Sequence, residues 1–260
     1  MAPARVDYDG IAPTYDGRYA VDRMDAVVGA LRELARETRA ERILEAGCGT
    51  GHFLSELRGA APRLHGIDLS SAMLRKAAGK GPLLLSAARG EQLPFPAQSF
   101  DLIYCVNALH HFEGPRGFIE EAARCLRPSG RLAVAGMTVP ARRESWYLYE
   151  YFDGSYETDL GRFPSWGTIL DWMIGAGVEV AEWRVVRRLR GQRVGREVLK
   201  DPFLAKPATS QLALLTDEAY AAGIARIEAA LAAAEARGET LVFPIDIRMG
   251  MLVGRAAAHG

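Results

Sequence analysis

The chain has 260 residues, 49% hydrophobic and 25% charged, a balance ordinary for a globular protein whose core is large enough to fold without metal or disulfide staples. Lys and Arg total 32 and Asp and Glu total 32, so the formal net charge is zero. A nucleic-acid partner is therefore not expected, because binding phosphates by counterion release calls for a basic excess.

The three cysteines, Cys48, Cys105 and Cys125, are odd in number and widely spaced. That pattern fits neither a disulfide framework nor a paired-cysteine metal site, and it points to reduced thiols in a cytoplasmic protein with no metal. Residues 1–10 hold no apolar leader segment. No stretch approaches the roughly 18 consecutive apolar residues of a membrane span, so no membrane association is expected.

Residues 6–20 mix Tyr, Asp, Gly and Pro and read as a loop or broken helix. Residues 24–39 carry Val27, Val28, Leu31, Leu34 and Ala35 at helical spacing. A short apolar run, 42–46, leads into Gly47, Gly49 and Gly51, and 52–58 fits a helix opening directly from them. The alternation repeats: strand at 64–68, helix at 70–78, strand at 83–87, a proline-containing loop at 93–98, strand at 100–106, helix at 116–126, a tight turn at 127–130 and strand at 131–137. Strands alternating with helices argue for a parallel sheet covered on both faces. After Met137 the pattern changes. Residues 140–166 are aromatic-rich without a clear period, 168–175 read as helix, 178–189 as a long strand, 191–211 as irregular, 216–237 as an Ala-rich helix and 241–254 as a strand. With no repeat or low-complexity linker, the expectation is one domain over 1–260, with a core at 6–137 and a lid and insertion at 138–170 and 191–237.

The segment Ile43-Leu44-Glu45-Ala46-Gly47-Cys48-Gly49-Thr50-Gly51 is a strand, a glycine turn and a helix start. Glycines let the backbone turn sharply and approach a ligand, and the following helix N-terminus offers unpaired N–H groups to an anionic group. The spacing is G-x-G-x-G. A dinucleotide turn is usually G-x-G-x-x-G, and here its last position is His52. That spacing disfavours an NAD(P)-dependent oxidoreductase on the same kind of sheet. Asp68 ends the second predicted strand, where a carboxylate can accept two hydrogen bonds from a ribose diol; the competing reading is a surface Asp at a strand end.

These motifs, in this order, resemble the class I S-adenosylmethionine-dependent methyltransferases, in the branch that includes the ubiquinone/menaquinone biosynthesis C-methyltransferases. The resemblance covers about residues 6–137. ILEAGCGTG is similar to the family's glycine-rich motif, GIDLSSAML to its ribose motif, and LPFPAQSFDLIYCVNALHHF to the stretch from the adenine loop through the fourth strand. YDGIAPTYD, with Tyr8 and Tyr15, resembles the N-terminal segment that folds over the cofactor. The resemblance implies an α/β, Rossmann-like sheet of about seven mostly parallel strands with helices on both faces and a lid after the fifth strand.

It further implies S-adenosylmethionine as cofactor and methylation of O, C or N on a small molecule. The cofactor residues it implies are Tyr8, Tyr15, Glu45, Gly47, Cys48, Gly49, Gly51, Asp68, Leu69, Met73, Ala88, Arg89, Gly90 and Asn107. Glu45 would orient the turn or receive the methionine ammonium, and Asn107 would face the methionine part. Arg89 departs from the pattern: relatives often carry Asp there for the adenine amino group, and Arg has no acceptor. Backbone groups of 88–90 are therefore expected to read the adenine.

His110 and His111 are the candidate bases for an acceptor proton, imidazole titrating near neutrality; the alternative is that they pack or cap the next helix. Trp146, Tyr147, Tyr149, Tyr151 and Trp166, within an aromatic cluster that also holds Phe152, Tyr156 and Phe163, are candidate walls for substrate or ordinary lid core. His52 and His65 read as surface or supporting residues. The arginines at 184, 187, 188, 190, 193 and 196 either hold an anionic substrate group or form a solvated strand face. A small-molecule acceptor is favoured further because the chain lacks both the Asn/Asp-Pro-Pro-aromatic run of nucleic-acid-base methyltransferases and a Pro-Cys nucleophile. A cofactor-binding protein without transfer activity is the non-catalytic alternative, and a homodimer stays open.

Overall fold

The strands of the first half are near-continuous apolar runs rather than alternating ones: β1 (Arg42–Ala46), β2 (Arg63–Asp68), β3 (Leu84–Ala87) and β4 (Phe100–Val106). Runs of that kind belong to parallel sheets covered on both faces. The computed structural model, which describes residues 6–21 and 24–257, places them there. With β5 (Leu126–Thr138), β6 (Val178–Val194) and β7 (Val242–Ala256) they form a seven-stranded sheet in the order β3-β2-β1-β4-β5-β7-β6. The ladders β3-β2, β2-β1, β1-β4 and β4-β5 are parallel. Strand order reverses between β1 and β4, and ligands of open α/β sheets bind at the carboxyl ends beside such a reversal.

The helices, in chain order, are α1 (Tyr8–Ile11), α2 (Gly17–Val21), α3 (Asp25–Glu37), α4 (His52–Glu56), α5 (Ser71–Ala78), α6 (Pro115–Cys125), α7 (Tyr147–Tyr151), α8 (Ser155–Arg162), α9 (Trp166–Gly175), α10 (Ser210–Ala213) and α11 (Asp217–Ala236). Successive β4 residues serve opposite sides. Leu102, Tyr104 and Val106 pack with Val27, Leu31 and Phe53 from α3 and α4, while Ile103 and Cys105 pack with Phe118, Ile119 and Met173 from α6 and α9. No helix among the described residues is long and apolar enough to cross a membrane.

The chain divides into two compact units. Among the described residues, the sheet unit comprises Tyr8–Met137, Pro164–Arg187 and 249–257, and the second unit 6–7, Thr138–Phe163 and Arg188–Arg248. β6 and β7 contribute residues to both.

One local expectation changes. Residues 127–130 are not a free-standing turn but lie inside β5, where the register jumps from Phe100↔Leu126 to Leu102↔Arg131. The extra residues form a bulge, with Ser129 at φ 66°, across which the register shifts and parallel pairing resumes. In the second unit the absent period of 140–166 has a simple cause: α7 has five residues and α8 eight, too short for a repeating apolar stripe. α11 starts as its sequence predicts, Thr216 Oγ1 accepting from the Ala219 N–H at 3.1 Å with Asp217 and Glu218 in the first turn.

Candidate functional site

From Ala46 the chain turns through Gly47, Gly49 and Gly51, at φ 70°, 52° and 72°, and enters α4. Residues with a Cβ avoid this region. A Cβ on Gly47 would stand 2.4 Å from the Ala108 Cβ, and one on Gly51 2.9 Å from the Ala77 Cβ. Gly49 differs, because the nearest atom to its hypothetical Cβ is Tyr15 Cε1 at 4.0 Å. Gly47 and Gly51 pack the turn against its own protein, whereas Gly49 faces open space walled by Tyr15.

Asp68 ties this turn to the neighbouring strand. Its Oδ2 accepts from the Gly49 N–H at 2.7 Å and its Oδ1 from the Ser70 N–H at 2.9 Å. Burial pushes the carboxyl up from the usual range, and the Ser70 and Gly49 amides oppose that rise. Cys48 is buried in the turn, its N–H bonded to the Ile67 carbonyl at 2.9 Å. Leu69 is 57% exposed beside Asp68. Met73, expected with it on the ribose side, is only 1% exposed. Ser70 Oγ caps α5 by accepting from the Met73 N–H at 3.1 Å.

Glu45 is 1% exposed and accepts a hydrogen bond from the Tyr104 hydroxyl at 3.1 Å. Burial holds its carboxyl well above the usual range despite that bond and the Leu54 amide. These contacts link β1 to β4 and α4 beside the glycine turn. A carboxyl whose folded pKa is raised favours folding most below the unfolded carboxylate range, and that contribution is lost as pH rises through the folded value. Glu45→Gln is therefore expected to melt higher than the parent protein at pH 8, with the gap shrinking toward pH 4.5 in thermal melts across that range; a gap independent of pH would refute the assignment.

The segment from Tyr8 to Tyr19 lies as a strap on this face. Asp9 Oδ1 accepts from Ser70 Oγ at 2.5 Å and the Ala72 N–H at 3.1 Å. Asp16 accepts from Thr50 Oγ1 at 2.5 Å and pairs with Lys80 Nζ at 2.9 Å. Tyr19 stacks on His52 with ring centroids 3.7 Å apart, and the Arg18 guanidinium lies 3.6 Å over the Tyr15 ring. The carboxylates Asp9 and Asp16 escaped the sequence reading. Their signal was the repeated Tyr-Asp pair, each tyrosine followed by the residue that anchors it.

At the end of β4, Asn107 sits at φ 51°, its N–H bonded to the Ala135 carbonyl at 2.9 Å. Asn tolerates that left-handed geometry better than most residues. His110 and His111 follow in a one-turn 3-10 helix, Leu109–His111, ring centroids 4.0 Å apart. The Tyr8 hydroxyl lies 2.6 Å from His111 Nε2. In the loop after β3, the Ala88 N–H bonds the Asp68 carbonyl at 3.2 Å, Gly90 packs against the Phe112 ring, and Arg89 pairs with Glu113. His65 is not a surface residue. It is buried edge-on against Phe95 and Phe100, and burial, with Arg42 and Arg63 nearby, pulls its imidazole down to about 4.

The expected substrate walls divide. Trp166 lies in the sheet unit, partly exposed, against Gly250. Trp146, Tyr147 and Tyr149 are buried as core of the second unit, packed edge-on against Phe203, Phe243 and Tyr156 respectively, and only Tyr151 of that group is partly exposed. These three pack as core, each edge-on to at least one other ring and shut off from solvent. Around them, buried Asp159 accepts from the Tyr149 hydroxyl at 2.7 Å and Gln211 Nε2 at 2.5 Å, and pairs with Arg162 at 2.6 Å. Asp159→Asn puts an amide donor among donors and removes the counter-charge of Arg162. It is expected to cost about 2 kcal/mol of stability in denaturant unfolding; no loss would show the cluster is solvated. Several of the arginines expected on a basic strand face pair within the chain, Arg188 with Asp246 at 2.6 Å and Arg196 with Glu235 at 2.8 Å.

Residues 44–134 match a family model described as a methyltransferase domain. The ubiquinone/menaquinone biosynthesis C-methyltransferase UbiE of Syntrophotalea carbinolica is 34% identical over 145 residues, 51% of this chain and 60% of that protein. A malonyl-[acyl-carrier protein] O-methyltransferase of Hahella chejuensis is 29% identical over 177 residues, 66% of this chain and 62% of that protein. The chain thus spans less than two thirds of the length of these curated relatives. Among solved structures, the YcgJ protein of Bacillus subtilis superposes with a TM-score of 0.58 at 19% identity, covering 90% of this chain and 98% of that one, a likeness of fold.

Proposed function

From the premise that residues 44–134 are a methyltransferase domain set in the class I fold of S-adenosylmethionine-dependent enzymes, we propose that this chain transfers a methyl group from S-adenosylmethionine to a small-molecule acceptor. The observation that carries the reading is the pairing of Gly49 and Asp68: the one glycine of the turn that opens on free space is held at 2.7 Å by the strand-end carboxylate. When bound, the cofactor supplies a methyl group already activated on a sulfonium. What remains for the chain is to bind, align and exclude water, and positioning of that kind can supply about 7–11 kcal/mol.

The Asp68 oxygens accept from backbone amides including those of Gly49 and Ser70, and a carboxylate's several lone pairs leave capacity for a ribose hydroxyl. Leu69 offers an apolar face to the adenine, and the backbone of Ala88, Arg89 and Gly90 reads its edge, Arg89 itself being engaged with Glu113. Gly47, Cys48, Gly51 and Glu45 shape the turn from behind. Tyr8 and Tyr15 cover the site from the strap, and Asn107 borders the methionine end. Trp166 of the sheet unit, partly exposed, is left as a candidate wall for the acceptor. The zero net charge supports a small acceptor over nucleic acid, and three buried free cysteines support residence in the reducing cytoplasm. The O- and C-methyltransferases among the relatives support both acceptor atoms.

The test is calorimetry with S-adenosylmethionine and, separately, NADH, followed by a transfer screen over phenols, carboxylates and amines. Binding of the sulfonium cofactor alone, with turnover, is expected. Binding of NADH alone would make the turn a dinucleotide site, and binding without turnover across the panel would make the chain a cofactor-binding protein.

A further inference from the structure

Tyr8 and His111 were expected to act separately, one covering the cofactor and the other as a candidate base. They meet instead, the Tyr8 hydroxyl 2.6 Å from His111 Nε2 and the rings edge-to-face at 5.1 Å between centroids. His111 stands at the carboxyl end of β4, beside the strand-order reversal, and Tyr8 reaches it from the strap that also brings Tyr15 to Gly49. Tyr8 and Tyr15 touch edge-on at 6.1 Å, so an unbroken row of rings runs from the glycine turn to His111. Both dyad members are partly exposed.

We infer that Tyr8 and His111 form a proton relay and that the acceptor is a phenol or enol hydroxyl, methylated on oxygen. The inference rests on the methyltransferase reading above. With His111 protonated on Nδ1, the Tyr8 O–H donates to Nε2 and the Tyr8 oxygen keeps lone pairs to accept from the acceptor hydroxyl. As the acceptor oxygen forms its bond to the methyl carbon, its O–H bond breaks and that proton passes to the Tyr8 oxygen. Tyr8's own proton passes to His111 Nε2, leaving an imidazolium. The electron pair of the broken S–CH3 bond returns to sulfur, so a neutral thioether leaves and charge balances.

Acidity selects the acceptor class. Relay through a phenolic oxygen is most efficient when the group giving the proton is itself near phenol in acidity, about 10. An aliphatic alcohol is far weaker as an acid, and an amine sheds its proton to water after alkylation without a relay.

The experiment compares the parent protein with Tyr8→Phe and His111→Gln. Calorimetry with S-adenosylmethionine comes first, then methyl transfer to substituted phenols from ordinary acidity down to a nitrophenol already ionised at the assay pH, with nitrogen NMR of the His111 ring as a readout independent of turnover. Phe keeps the ring of the strap, so Tyr8→Phe is expected to shift cofactor affinity less than about threefold. It is expected to lower kcat about 100-fold for the un-ionised phenols, leave the ionised one nearly unchanged, and move the Nε2 resonance. A cofactor affinity that falls tenfold or more with kcat intact would make Tyr8 a strap latch and overturn the relay. An equal loss for ionised and un-ionised phenols, an unmoved Nε2 resonance, or transfer to amines but to no hydroxyl would overturn it too. Failure of the parent protein to bind S-adenosylmethionine overturns the proposed function itself, and is seen in the first step.

Discussion

Gly47→Val is expected to abolish soluble folded protein, while Gly49→Val is expected to fold and to lose its cofactor. The two positions lie two residues apart in one turn, and both sit at positive φ. A β-branched residue there costs about 1–3 kcal/mol of backbone strain in either case. At Gly47 the new Cβ would also stand 2.4 Å from Ala108 and 3.4 Å from the Phe112 ring. Overpacking adds about 1–3 kcal/mol more, and the γ-methyls reach further into the same contact. Together these approach the whole stability of a marginal domain, about 5–15 kcal/mol. At Gly49 no protein atom comes nearer than Tyr15 Cε1 at 4.0 Å, so strain is the main folding cost. The isopropyl group instead fills the space where the cofactor would lie. Circular dichroism, thermal melting and calorimetry separate the outcomes: a Gly49→Val protein with parental affinity would show that the ligand does not use this turn, and a normally melting Gly47→Val protein would show that the Ala108 contact yields.

Asp68→Ala is expected to weaken S-adenosylmethionine binding about 100-fold, roughly 3 kcal/mol, with a modest fall in melting temperature. Hydrogen bonds to a charged acceptor contribute about 1.5–3 kcal/mol each, and a ribose diol would make two. The same carboxylate holds the Gly49 N–H at 2.7 Å and the Ser70 N–H at 2.9 Å, so its removal also loosens the turn that faces the ligand. Asp68→Asn separates the two effects. It keeps an acceptor oxygen for one backbone amide and sets an amide donor against the other, so it is expected to melt between Asp68→Ala and the parent while losing affinity as fully as Asp68→Ala. Affinity that tracks melting temperature across both variants would assign Asp68 to the scaffold alone.

The alternation of short apolar runs with amphipathic stretches up to residue 137, and the switch to a different pattern after it, were legible because local hydrophobic period is a property of neighbouring residues. A mostly parallel sheet followed from the same pattern, whereas the strand order β3-β2-β1-β4-β5-β7-β6 came only from the fold. The glycine turn and Asp68 were legible because strand, turn and strand end are each short and contiguous. Their roles within the turn were not. That Gly47 and Gly51 are sealed by Ala108 and Ala77 while Gly49 is open depends on residues 26 to 61 positions away, brought in by the packing of β4 and α5.

Chain folding likewise decided that Met73 and His65 turn inward, that Arg89 pairs with Glu113, and that Glu45 answers to Tyr104 rather than to solvent. The aromatic run after residue 140 named flat apolar side chains correctly but not their use, because burial depends on what lies opposite. For Trp146, Tyr147 and Tyr149 those neighbours are Phe203, Phe243 and Tyr156, two of them far along the chain. The Tyr8–His111 bond spans 103 positions. Composition and local period carry no information about a contact of that range. Only the fold, in laying the strap across the carboxyl ends of β1, β2 and β4, could put those two side chains together.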